Sequence, residues 1–245
     1  MDKKQKIIQL NQPILNEAYR FSVAPMLDYT DRHFRMIMRQ ISRRALLYTE
    51  MIVAKAIYHS DNRAKLLHFD PEEHPISIQI GGDDPKLLSE VAKIAEDWGY
   101  DEINFNVGCP SQKVSSGNFG ACLMSNPLHV ARCVQSMAEA TKLPITVKHR
   151  VGIDNFDSYE FLENFVDIVA LGGAKRFSIH ARKAWLNGLN PKQNRNIPSL
   201  KYERIFKLKE SRPHLIIELN GGLELPEDCI KVLKKVDGVM VGRAV

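Results

Sequence analysis

Short runs rich in β-branched and aromatic residues recur along the chain, each ending on polar or turn residues. They are FSVAPM from Phe21, LLYTEM from Leu46, PISIQI from Pro75 and EINFNV from Glu102. The second half continues with PITVKH from Pro144, RFSIHA from Arg176, LIIELNG from Leu215 and GVMVGR from Gly238. Runs of this length and composition predict buried strands. Between them, segments such as DPKLLSEVAKIAEDWGY, NPLHVARCVQSMAEATK and SYEFLENFVDIVALGG carry apolar residues at helical spacing, with Asp, Asn or Ser near their starts as N-caps. Strand and helix alternating eight times predict an α/β fold, a parallel (β/α)8 barrel of the TIM-barrel class. A chain of 245 residues fits one such barrel, so a single domain over 1–245 is expected.

In a barrel of this kind the C-terminal strand ends converge on one face and form the site. Here every end is polar or turn-forming: Pro25-Met26, Glu50-Met51, Gln79 to Gly82, Asn104 to Asn106, Lys148 to Arg150, His180 to Arg182, Asn220 to Gly222, and Gly242-Arg243. One polar residue where a buried strand surfaces is ordinary; eight on one face point to a site. Asn220, Gly221 and Gly222 lie after the seventh strand, and Gly242 and Arg243 after the eighth. Barrels often hold phosphate in these two loops: glycines let the backbone approach the anion, and an arginine adds charge-assisted hydrogen bonds. Gln79, Lys148 and His180 end strands three, five and six. They suit a flat ring with polar edges, because an amide pairs with an imide edge and a lysine stabilises charge developed on reduction. Flavin mononucleotide (FMN) fits that description. Lys148 taken alone also fits a rim salt bridge with Glu50 or Asp154.

Composition narrows the class further. With 44% apolar and 26% charged residues, no transmembrane run, and an N-terminal stretch lacking an apolar signal core, the expected protein is soluble and cytoplasmic, without a membrane partner. The net charge of +5 is compatible with a phosphate ligand, with nucleic acid, or with an ordinary basic surface. Four cysteines without Cys-x-x-Cys spacing suggest neither a disulfide framework nor structural zinc, and no metal is expected.

Cys109 stands apart from the other three. It roots a Gly- and Ser-rich loop, DEINFNVGCPSQKVSSGNFGACLM, whose composition suits a mobile active-site lid. A free thiol titrates near ~8.5, so a partly exposed cysteine at neutral pH can give a proton. Hydride addition to one carbon of an activated double bond needs such a proton at its neighbour. Cys122, Cys133 and Cys229 fall in or beside helical segments, where small buried hydrophobes are expected. The loop HARKAWLNGLNPKQNRNIPSLKYER interleaves Arg182, Lys183, Lys192, Arg195 and Lys201 with Trp185. That pattern suits RNA phosphates and base stacking, and equally a solvated basic loop anchored by one tryptophan.

In motif and order, APMLDYTDRHFR, LLYTEM, EEHPISIQIGG, YDEINFNVGCPS, FGACLM, VKHRVGID, IHARKAWLNGLNPKQNRNIP, LNGG and DGVMVGR resemble the tRNA-dihydrouridine synthases. The similarity is closest to the bacterial DusA subfamily and runs from about residue 20 to the last residue. The resemblance implies an FMN-dependent oxidoreductase in which NADPH is the reductant, hydride goes to C6 of a uracil in the tRNA D-loop, and Cys109 protonates C5. The product is 5,6-dihydrouridine, at positions 20 and 20a by subfamily. Pro25, Met26, Leu27, Gln79, Lys148, His180, Asn220, Gly221, Gly222, Gly242 and Arg243 are the implied FMN contacts. Asn106, Arg182, Lys183, Lys192 and Arg195 are the implied RNA contacts, and the implied enzyme is a monomer. The family continues past the eighth strand into a closing helix and a helical tRNA-binding domain, whereas this sequence stops at Val245; that domain is expected to be absent from the chain. Two other functions share some of these residues. An FMN barrel reducing a small pyrimidine or enone would keep the phosphate loops and Lys148 without needing the basic loop. A flavin-free tRNA-binding module would keep the basic loop without needing Cys109.

Overall fold

A computed structural model of the protein describes residues 20–111 and 117–245. The basic N-terminal segment 1–19 and residues 112–116, within the loop expected to form a lid, lie outside the described residues. Among the described residues eight strands are present: β1 (Phe21–Val23), β2 (Leu47–Val53), β3 (Ile76–Gly81), β4 (Glu102–Val107), β5 (Ile145–Arg150), β6 (Arg176–His180), β7 (Ile216–Asn220) and β8 (Gly238–Val241). All pair in parallel, in the order β1-β8-β7-β6-β5-β4-β3-β2. A parallel bridge between Ser22 and Leu46 joins the two ends of that row, with Val23 N–H donating to the Leu46 carbonyl at 3.0 Å. The architecture is the (β/α)8 barrel that the alternation of periods predicts.

The helices form the outer layer: α1 (Arg32–Ile41), α2 (Ala54–His59), α3 (Ala64–Leu67), α4 (Pro85–Trp98), α5 (Pro127–Ala140), α6 (Tyr159–Leu171), α7 (Pro191–Asn194), α8 (Tyr202–Ser211) and α9 (Pro226–Val232). Caps read from sequence act at the three long helices. Asp84 accepts from Lys86 N–H, Asn126 from His129 N–H and Ser158 from Phe161 N–H, each satisfying an otherwise orphaned donor. The predicted first strand is twice too long. Pro25 has no N–H to give the ladder, and Met26 turns the chain by accepting from Tyr29 and Thr30 N–H.

Alternation along the strands sorts the core into two regions. Ile76, Ile78, Ile80, Ile103, Phe105, Val107, Phe177, Ile179, Ile217 and Leu219 are fully buried against the helices in one large apolar cluster. The alternate positions fill the barrel interior and are mostly polar: Ser22, Ser77, Gln79, Glu102, Asn104, Thr146, Arg176, Ser178, Glu218 and Asn220 are all buried. Ala24, Leu46, Tyr48 and Met240 form a smaller apolar cluster on the β1, β2 and β8 side. At the centre Arg176 donates to Glu102 Oε1 at 2.6 Å and to Glu218 Oε2 at 3.1 Å.

One buried group on the outer face makes the fold acid-sensitive. The His149 ring packs 4.8 Å from Phe165 and 5.8 Å from Phe177, centroid to centroid, and among the described residues its Nε2 has no hydrogen-bond partner. Burial, aided by the Lys148 charge, pushes its pKa down to about 4. The unfolded chain therefore takes up a proton near the ordinary value of ~6.5 that the native state refuses until about pH 4. Stability is expected to fall as pH drops through that window, by about 3 kcal/mol at pH 4 from this group. Urea unfolding of the wild type and His149→Leu across the window checks it: the difference between them should shift by that amount, and parallel curves would refute it.

Candidate active site at the barrel mouth

The C-terminal ends of β3 to β8 surround a polar mouth. Lys148, on β5, is half-buried, and its ammonium donates to Asn220 Oδ1 at 2.9 Å; Asn220 in turn donates to the Met240 carbonyl at 2.8 Å, tying β5, β7 and β8 together. Glu50 accepts instead from Asp28 N–H and Asp154 from Leu186 N–H, so the rim salt bridge that Lys148 alone could have signified is not made. Burial and the Arg150 charge push Lys148 down to about 8, partly opposed by Glu218.

His180, at the end of β6, accepts the Arg182 backbone N–H at its Nδ1, 3.2 Å away. The neutral ring therefore carries its proton on Nε2. Burial, followed by the Arg150, Lys148 and Arg182 charges, holds its pKa well below the usual histidine range, so the ring stays neutral. Gly221 and Gly222 follow with φ of 101° and 72°, in the left-handed region that favours glycine. A Cβ on Gly221 would sit 3.1 Å from the His180 ring, and one on Gly222 would meet Leu200 at 2.5 Å. Tyr202 Oη holds the turn by donating to the Gly221 carbonyl at 2.6 Å. Across the gap, Gly242 lies beside Met26, with Pro25 half-buried and Leu27 exposed.

Cys109 is half-buried just past β4. Its backbone N–H and that of Gly108 both donate to Asn106 Oδ1, at 3.0 and 3.1 Å. Lys148, Arg150 and Arg195 all act electrostatically on it, so the thiol is set among cations. Arg150, named from the sequence only as part of the end of the fifth strand, has a role that the sequence did not assign. Only 4% exposed, it donates from Nε to the Gly108 carbonyl at 2.9 Å and from Nη1 to the carbonyls of Lys183 and Asn194, both at 3.1 Å. One guanidinium thus joins the root of the Cys109 loop to the basic loop after β6. Its position two residues after Lys148 was the available signal, but the carbonyls it binds lie in segments far away in sequence. Burial pushes it down to about 10, so it remains charged.

The basic loop divides into inward and outward cations. Arg182 binds the Pro198 carbonyl. Lys183 donates to the Asp154 carbonyl at 2.9 Å and lies 3.9 Å over the Trp185 ring. Lys201 pairs with Asp157 at 2.6 Å. Lys192 and Arg195 are exposed, and Arg243 donates to Asn196 Oδ1 at 3.0 Å on the same rim. Between this loop and the cysteine loop lies a cleft of about 490 Å³ lined by Pro110, Ser111, Gly188, Leu189, Asn190, Pro191 and Gln193. Cys133 and Cys229 are buried on helices, and Cys122 lies in a short 3-10 turn; burial raises all three thiols, Cys133 to about 12, in keeping with packing roles. Among the described residues no group of His, Cys, Asp and Glu could hold a metal ion, and no helix is long and apolar enough to cross a membrane.

Comparisons with known proteins bear on this arrangement. The fold resembles a putative fructose-1,6-biphosphate aldolase from Coccidioides immitis, with TM-score 0.51 and 14% identity over 98% of this chain and 81% of the other. At that identity only the barrel is shared. A tRNA-dihydrouridine(20/20a) synthase of Synechocystis sp. is 61% identical over 223 residues, covering 91% of this chain and 66% of the relative. The Escherichia coli K12 protein of the same name is 54% identical over 225 residues, 91% of this chain and 65% of that one. The chain spans about two thirds of the length of these relatives. The dihydrouridine synthase (Dus) family model matches residues 22–245, which include every strand end around the mouth. With the barrel, the mouth and the family pattern extending over the same residues, the chain belongs to the dihydrouridine synthase family.

Proposed function

We propose that the protein is a tRNA-dihydrouridine synthase that reduces D-loop uridines of tRNA at positions 20 and 20a, using FMN and NADPH. The observation that carries the reading is the half-buried Lys148 ammonium: among the described residues no carboxylate forms a salt bridge with it, and it opens on the same mouth as Cys109. A partly desolvated cation without an acidic partner suits a ligand that brings or develops negative charge. The glycines after β7, beside a neutral His180 bearing Nε2–H, suit a ring with acceptor edges above a phosphate.

Pro25, Met26, Leu27, Gln79, Lys148, His180, Asn220, Gly221, Gly222, Gly242 and Arg243 are the residues proposed to hold FMN. Held there and reduced by NADPH, FMN would supply the hydride for C6 of the uracil. Cys109 Sγ gives its proton to C5, so that the C5=C6 double bond becomes single. Water then restores the thiol. A uracil stacked in the RNA is out of reach, so the base must be extruded into the mouth while the backbone is gripped outside. Lys192 and Arg195 are the favoured phosphate contacts because they are exposed beside the cleft. Arg182 and Lys183 are assigned to shaping the same RNA surface and Asn106 to contacting the base.

Purified protein supplied with FMN is expected to bind it, with a visible flavin band and quenched flavin fluorescence, and with NADPH to form dihydrouridine in unmodified tRNA. Protein that binds tRNA but neither takes up FMN nor reduces uridine would overturn the proposal in favour of a non-catalytic RNA-binding module.

A further inference from the structure

Beneath the mouth a single file of buried hydrogen bonds connects the cysteine loop to the charged centre of the barrel. Gly108 and Cys109 N–H donate to Asn106 Oδ1, Asn106 Nδ2 donates to Gln79 Oε1 at 2.8 Å, and Gln79 Nε2 donates to Asn104 Oδ1 at 2.8 Å. Asn104 Nδ2 then donates to Thr146 Oγ1 at 2.9 Å, and Thr146 donates to Glu102 Oε1 at 2.9 Å. Both ends of the file have a fixed sense. The Glu102 carboxylate, paired with Arg176, can only accept; the two loop N–H groups can only donate. Starting from Glu102, Thr146 must turn its hydroxyl proton down and its lone pair up, so Asn104 must present its NH2 to it. The carbonyl of Asn104 then faces Gln79, that of Gln79 faces Asn106, and that of Asn106 faces the loop. Starting from the loop gives the same orientations. Flipping any one amide would set two donors or two acceptors against each other at both of its contacts.

We propose that Thr146 and Asn104 are positioning residues which, through this file, fix the amide orientations of Gln79 and Asn106. Neither reaches the mouth. Asn106 Oδ1 is filled by two loop N–H groups, while Asn106 and Gln79 each use one of two amide protons within the file. Each therefore keeps one N–H outside the file, so this side of the mouth can donate to a carbonyl oxygen. That last consequence rests on the proposed function, since a uracil or a flavin supplies such oxygens; the orientations themselves do not.

The first test needs no ligand. In the apo protein, side-chain NH2 exchange with solvent is followed by NMR for the wild type, Thr146→Val and Thr146→Ser. Wild type and T146S should protect the amides of Asn104, Gln79 and Asn106. In T146V all three should lose protection together, on the order of 10-fold or more for one missing hydrogen bond, while backbone amides of β4 and β5 stay protected. Loss confined to Asn104, or no loss, overturns the proposal. Should T146V not fold, Thr146→Ala provides the same comparison without the extra methyl group. The second test uses tRNA turnover: T146V should lower kcat roughly 10-fold with KM for tRNA nearly unchanged, and T146S should restore it. Unchanged kcat in folded T146V would again overturn the proposal. Inactive wild-type enzyme would instead sink the proposed function and leave the amide-exchange result standing.

Discussion

Cys109→Ala is expected to lower the rate of dihydrouridine formation by at least about 100-fold, the usual contribution of a positioned general acid. Adding hydride at C6 without a proton at C5 leaves a carbanionic uracil. Among the described residues at the mouth, the Lys148 ammonium is engaged by Asn220 and His180 is held neutral. The variant should fold normally, because Cys109 is anchored through its backbone: its N–H binds Asn106 and its carbonyl accepts from Ala121 N–H at 2.9 Å. Two measurements separate the proton from everything else. Bleaching of bound flavin by NADPH should proceed at the wild-type rate, and tRNA affinity should stay within about threefold, since the proposed phosphate contacts are elsewhere. Reoxidation of the reduced protein by tRNA should carry the whole defect. Wild-type turnover in the alanine variant would remove Cys109 from the mechanism. Cys109→Ser should remain slow, because a hydroxyl is a far weaker acid than a thiol and its conjugate base is harder to stabilise even among cations.

The fold was legible because each strand and each long helix carries its own signal: a short apolar run, then a helical period opened by Asp84, Asn126 or Ser158. Strand ends were legible for the same local reason, and the barrel topology supplied their convergence. What escaped the sequence depends on partners distant in the chain. Glu102 and Arg176 look like polar residues at the starts of two strands, and Glu218 like an interruption in LIIELNG; only closure of the barrel brings all three together. Arg150 was hidden likewise, since its partners at Gly108, Lys183 and Asn194 come from two other loops. In the basic loop, composition made Lys183 and Lys192 equivalent. Asp154, Asp157 and Trp185 separate them by engaging Lys183 and leaving Lys192 outside.

Arg176→Met is expected to destabilise the barrel by about 3–5 kcal/mol, the range for removing one partner of a buried ion pair. Arg176 is 1% exposed, and both carboxylates it binds are fully buried, so no water replaces the lost guanidinium. Glu102 would keep the hydroxyls of Ser77, Thr146 and Tyr48, and Glu218 those of Ser22 and Ser178, but hydrogen bonds do not cancel two negative charges in one interior. The variant has one escape, which is to bind protons. Its carboxyl groups would titrate above the unfolded value, so the folded state would hold more protons than the unfolded one and the deficit should shrink as pH falls. That pH dependence distinguishes lost charge from lost volume, because a packing defect would cost the same at every pH. Adding Glu102→Gln and Glu218→Gln to Arg176→Met should recover most of the loss at neutral pH, as replacing a whole buried ionic cluster is far milder than breaking it. Urea unfolding of the three proteins between neutral and mildly acidic pH decides the matter. A loss in R176M below about 1 kcal/mol, or one independent of pH, would mean that the two glutamates are not both ionised around Arg176 in the native barrel.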